Sequence, residues 1–169
     1  TYDGNSHTAT GTATGVGGVG LSGLVLSGTT HTAAGSYASD AWSFTNPNYN
    51  DANGTVADNI AKANAVILVS GYSGVYDAAA HGATGTAVGV ESPTPADLNS
   101  LLHLGDSFTN VPGGTAHWTF DGNGNYEAAN GDAAITISKA TASISVTPYG
   151  VTYDGNSHTA TGTATGVGG

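Results

Sequence analysis

The chain has 169 residues, twelve carboxylates and only two cations, Lys62 and Lys139, for a net charge of −10. It cannot neutralise phosphates, which excludes nucleic acid and argues against binding or insertion at an anionic membrane. Charged residues are 8% of the chain against about 25% in ordinary domains, so Thr, Ser, Asn and Gly must cover the surface. Cysteine and methionine are absent, which leaves no thiol chemistry and nothing for oxidants to attack. Together with the scarcity of Lys and Arg, this predicts an extracellular or cell-surface location.

Residues 152–169 repeat residues 1–18 letter for letter, TYDGNSHTATGTATGVGG, an offset of 151. A degenerate copy lies between them, where Val75 opens VYDAAAHGATGTAVGV. The true unit is therefore about half of that offset, and the chain reads as a window on a periodic protein. The absent initiator Met and signal segment are taken to mean only that the window excludes the chain ends. Tyr2/Tyr76/Tyr153, His7/His81/His158, Trp42/Trp118, Phe44/Phe120, Tyr49/Tyr126, Lys62/Lys139 and Tyr72/Tyr149 correspond in order. Three residues are gained around Glu91–Pro95, where a loop belongs. The expected organisation is unit 1 over 1–72, unit 2 over 73–149, and the opening hairpin of a next unit over 150–169. Units this small, without disulfides, are marginal alone and draw stability from their neighbours.

In chain order, Asp3-Gly4 predicts a tight turn between two strands. His7 to Val16 alternates, with threonines on one face and Ala/Gly on the other, which predicts a flat β-strand. Leu21–Leu26 matches Leu98–His103, and leucines at i, i+3 and i+4 after Asp97 suggest one short helical turn per unit. Tyr37–Thr45 and Thr115–Phe120 follow as strands that place Trp42 with Phe44, and Trp118 with Phe120, on one face as an aromatic core. Tyr49 and Tyr126 complete that core from Asn/Gly-rich loops. The branched strands Ala65–Val69 and Ala142–Val146 then lead through the junction residues Tyr72 and Tyr149 into the next unit.

The YDG opening, the TATGTATGVGG strand, W-x-F, the GNxNY loop and the I-x-K-A-x-A exit resemble the YDG/MBG-type repeat domains of large bacterial surface proteins over the whole chain. The resemblance implies a mainly β fold of tandem small immunoglobulin-like β-sandwich repeats, or alternatively a β-grasp-like unit with one short helical turn. It also implies a place in secreted adhesins and fibres. Tyr76-Asp77-Ala78 and the Pro-containing insertion depart from the pattern and predict different loop contacts in unit 2.

Several candidate sites are weak. Gly15–Gly20 spells G-x-G-x-x-G, but no βαβ unit surrounds it. Asp121, Asn123, Asn125 and Asp132 have the oxygen spacing of a calcium loop, yet Tyr126 stands at the sixth position, where Gly is needed. The six histidines show no zinc-ligand spacing, and neither a nucleophile elbow nor a cysteine nucleophile occurs. No enzyme, cofactor or metal is expected. Lys62 and Lys139, one per unit at the junction, could in principle form amide cross-links with Asn or Asp, but read better as solubilising charges. The function expected is a structural repeat module of an extracellular filament or giant adhesin, whose partners are neighbouring copies. The alternative is a glycan-binding recognition module, which would need exposed aromatic rings beside loop carboxylates.

Overall fold

A computed structural model of the chain describes residues 1–168, so Gly169 of the closing segment lies outside it. The fold is mainly β, with several small sheets of the kind a β-sandwich is built from and no α-helix among the described residues. The strands are β1 (His7–Thr8), β2 (Ala13–Thr14), β3 (Gly20–Leu21), β4 (Leu24–Val25), β5 (Thr30–His31), β6 (Gly35–Asn46), β7 (Tyr49–Ile60) and β8 (Val66–Ser70). They continue as β9 (Tyr72–Val75), β10 (Thr84–Val88), β11 (Leu102–His103), β12 (Gly113–Phe120), β13 (Ala129–Ser138), β14 (Ser143–Thr147) and β15 (Thr161–Thr165).

The chain divides into two compact units that interleave along the sequence. The first comprises Thr1–Leu68, Thr86–His103 and Thr119–Asn130. Its sheet runs β4-β6-β7, with Leu24 opposite Phe44, Trp42 opposite Gly54 and Phe44 opposite Ala52. Its buried apolar residues include Phe44, Ile60, Ala63, Leu98, Phe120 and Tyr126. The second comprises Val69–Gly85, Leu104–Trp118 and Gly131–Gly169. Its core is Ala116, Ile135 and Ile137, with Tyr72, Tyr76, Ala83 and Phe108 packed against them.

Between these strands, β9 runs parallel to β13, from Tyr72 opposite Ile135 to Val75 opposite Ser138. β14 runs antiparallel to β15, and β8 pairs with β10. The alternation expected for the Thr/Ala/Gly stretch is seen in β10, where Thr84 and Thr86 face out and Ala87 is buried.

Three local expectations are corrected. The flat strand expected from His7 to Val16 is broken: only β1 (His7–Thr8) and β2 (Ala13–Thr14) are strand, and they pair with different partners, β5 and β3. The Asp3-Gly4 turn does not close a hairpin: the Tyr2 N–H donates to Ala61 O at the end of β7, while β1 pairs with β5. The turn thus joins a junction segment to a different sheet. Leu21–Leu26 is not helical, because Gly23, at φ 107, lies so close to Thr45 O that only a missing side chain fits, which turns the chain so that β4 can pair with β6. Among the described residues helical geometry is confined to 3-10 turns at Ser27–Thr29 and Asn99–Leu101, with a further turn at Val16–Gly18 in which Gly17 is non-helical (φ 77). Asp97 Oδ1 does accept from the N–H of Asn99 (2.9 Å), the first residue of the Asn99–Leu101 turn.

Candidate functional site

The aromatic residues occupy two environments. Phe44, Phe120 and Tyr126 are buried, whereas Trp42, Trp118 and Tyr49 are only half-buried. Burial of both tryptophans was the expectation; each is instead half-buried against a glycine. A Cβ on Gly54 would stand 2.8 Å from Trp42 Cζ2, and one on Gly131 would stand 2.6 Å from Trp118 Cζ2. Each indole packs so closely on the glycine of the neighbouring strand that a side chain there would collide with it.

The most connected polar cluster sits at the Asn/Gly loop of Tyr126. The Tyr126 hydroxyl donates to Glu91 Oε1 (2.6 Å) and accepts from the Val90 N–H (3.0 Å). The Tyr2 hydroxyl donates to the same carboxylate oxygen (2.9 Å), and the Ala96 N–H to Glu91 Oε2 (2.9 Å). The Tyr2 and Tyr126 rings meet edge to face at 5.5 Å. Burial works to raise the Glu91 pKa, but the Tyr126, Ala96 and Tyr2 donors outweigh it and hold the carboxyl down at about 2. Burial, with the anion beside it, pushes Tyr126 up to about 12, and the bond to Glu91 with some burial raises Tyr2. Glu91 was not singled out from sequence. The one signal was its place in the residues gained by the second unit.

The backbone closes around this cluster. Ala63 donates to Asn125 O and accepts from the Glu127 N–H, both at 2.9 Å, and the Ala34 N–H donates to Asn125 Oδ1 (3.0 Å). A side chain on Gly89 would collide with the Tyr126 hydroxyl. In the first seventy residues the counterpart Tyr49 hydroxyl accepts from the Val16 N–H (3.1 Å).

Every histidine faces an aspartate. His7, His81 and His158 lie 2.8–2.9 Å from Asp3, Asp77 and Asp154. His31, His103 and His117 lie 2.6–3.0 Å from Asp40, Asp121 and Asp132. The Asn5 N–H first, then His7, lowers the Asp3 pKa to about 2. His81 and the Ala79 N–H lower that of Asp77, and the Asn156 N–H with His158 lowers that of Asp154. The junction tyrosines cover two of these histidines: Tyr72 stacks on His81 at 3.8 Å, and Tyr149 tilts over His158 at 5.6 Å.

The calcium-like spacing is spent otherwise. Asn123 Oδ1 accepts from the Asn125 and Tyr126 N–H groups, Asn125 Oδ1 accepts from Ala34, Asp121 faces His103 and Asp132 faces His117. Among the described residues no three acidic, His or Cys side chains converge as metal ligands do. Lys62 and Lys139 are exposed. Among the described residues no helix is long and apolar enough to cross a membrane.

No family model, curated protein or solved structure matches the chain.

Proposed function

We propose that this chain is a stretch of a structural repeat array, an extracellular filament or giant adhesin of the YDG/MBG kind, whose role is to span distance by stacking similar β modules. One observation supports the reading above others: residues that correspond in the sequence repeat make the same local bonds. The Tyr2 N–H reaches Ala61 O as the Tyr76 N–H reaches Ser138 O. Tyr49 binds the Val16 N–H as Tyr126 binds that of Val90. Trp42 covers Gly54 as Trp118 covers Gly131. Shared packing at a fixed sequence interval is how a solenoid or tandem array stabilises units too small to stand alone. Each histidine is engaged by an aspartate and the Glu91 carboxylate by Tyr2, Tyr126 and Ala96, which suits a scaffold better than an active centre.

Immunogold labelling of intact source cells with an antibody against this chain tests the proposal. Label spaced along surface fibres is expected. Label confined to the cytoplasm would overturn it. A glycan array distinguishes the recognition module, which alone predicts selective sugar binding.

A further inference from the structure

The chain holds neither cysteine nor methionine, so the sulfur atoms that oxidants attack first are missing. The side chains left to oxidise are aromatic, and phenols and indoles yield to one-electron oxidants. Eight tyrosines are present, and their surroundings differ. Tyr37 and Tyr72 stack on His31 and His81, and Tyr149 tilts over His158. Tyr2 instead meets another tyrosine, Tyr126, edge to face with ring centroids 5.5 Å apart.

Both hydroxyls of that pair donate to one atom, Glu91 Oε1, at 2.9 and 2.6 Å, so the two phenols share a single proton acceptor. The surrounding backbone fixes them. The Tyr2 N–H donates to Ala61 O, the Tyr126 N–H to Asn123 Oδ1, and the Ala96 N–H to Glu91 Oε2. Access is unequal, since Tyr126 is 2% exposed and Tyr2 half-buried. Tyr2 also lies outside any strand, so its ring can turn out of the edge-to-face arrangement towards its neighbour. Tyr2, Glu91 and Tyr126 all belong to the first compact unit, although the two tyrosines are 124 positions apart.

We infer that Tyr2 and Tyr126 form a site of covalent cross-linking, joined ring to ring as dityrosine by a haem peroxidase and hydrogen peroxide, with Glu91 as the proton acceptor. The oxidant takes one electron from the accessible Tyr2, and its phenolic proton passes to Glu91. An oxidised phenol is a far stronger acid than a carboxylic acid, so this transfer runs downhill. Once Glu91 has released that proton to water, Tyr126 gives its electron to the Tyr2 radical across the ring contact and its proton to Glu91. A second oxidation at Tyr2 leaves both rings as phenoxyl radicals. A carbon ortho to one hydroxyl then bonds to the matching carbon of the other ring, and the hydrogen on each of those carbons returns to its oxygen. Two electrons and two protons leave in total, and they reduce one hydrogen peroxide to two waters. The new bond closes a long loop and restricts the unfolded chain as a disulfide would, in a protein that has none. This inference does not depend on the repeat-array reading.

Peroxidase treatment of the dilute 169-residue chain tests it, followed by digestion at acidic residues and mass spectrometry. Tyr153, 94% exposed, reports that oxidation has taken place. A joined pair of peptides carrying Tyr2 and Tyr126, lighter by two hydrogens than the separate peptides, should be the main product within a single chain. In denaturant that preference should disappear. Tyr2→Phe should abolish the pair. Glu91→Gln, folded by circular dichroism, should form it several-fold more slowly, because an amide takes no proton from the phenol. The inference is overturned if Tyr153 is consumed in the folded chain while Tyr2 and Tyr126 stay unjoined. It is equally overturned if the pair is no more abundant than in denaturant, or if Glu91→Gln forms it as fast as the parent.

Discussion

Glu91 gathers three hydrogen bonds from three separate parts of the chain, and the depression of its pKa from 4.5 to about 2 reflects them. A carboxyl with a lowered folded-state pKa contributes stability above its unfolded pKa and loses it as pH falls through the folded value. The contribution of Glu91 is therefore complete above about pH 5 and gone near pH 2. Glu91→Ala should cost about 1–3 kcal/mol at pH 7, the range for bonds to a charged acceptor, as read by denaturant unfolding. The gap between Glu91→Gln and the parent should narrow as pH falls from 5 to 2; a constant gap would mean that the carboxylate charge is not what matters. At the alkaline end the sign reverses for the phenols. Tyr126, raised to about 12, and Tyr2 favour the folded state below pH 10 and cease to do so as pH climbs past their folded values. Absorbance titration at 295 nm should show a late-ionising phenol that Tyr126→Phe removes.

At the scale of elements, the burial contrast between β13 and β14 makes a sharp forecast. Ile135 is 2% exposed and Ile144 is 71% exposed. Ile135→Ala should cost about 2–5 kcal/mol, while Ile144→Ser should stay within about 0.5 kcal/mol in dilute solution. Gly113, at φ 90 with Ile135 O where a Cβ would go, should lose at least 1–3 kcal/mol, order of magnitude, on Gly113→Ala. Thermal melts of the three variants check the ranking. Elements of this kind were legible from sequence where the pattern is local. The Trp-x-Phe spacing marks β6 and β12 as strands, and the alternation read from His7 to Val16 is kept in its counterpart β10, although Tyr49, expected in a loop, opens β7. Tertiary partners decide the rest. Leu21–Leu26 carries a helical leucine spacing, but β6 and Gly23 draw it into strand. The parallel pairing of β9 with β13 joins residues 63 apart, which no window of local periodicity can register. The Tyr126 loop was visible, whereas the carboxylate that fixes it sits in a loop with no period of its own. The tryptophans were assigned to the core because they share a strand face with Phe44 and Phe120, whereas each packs on a glycine of the neighbouring strand and stays half-buried.

For the whole molecule, the claim is that length is the product: each added period should extend the array by a fixed step. The long strands β6, β7, β12 and β13, of 8 to 12 residues, at about 3.3 Å per residue give roughly 30–40 Å per unit, and so about 60–80 Å per 151-residue period. A compact protein of growing mass instead enlarges as about the 0.38 power of its residue count, roughly 1.3-fold on doubling. The deciding measurement is small-angle X-ray scattering from one, two and three covalently joined periods. Equal increments in maximum dimension of about 60–80 Å are predicted, and a dimension that rises only about 1.3-fold on doubling would contradict the structural-array account.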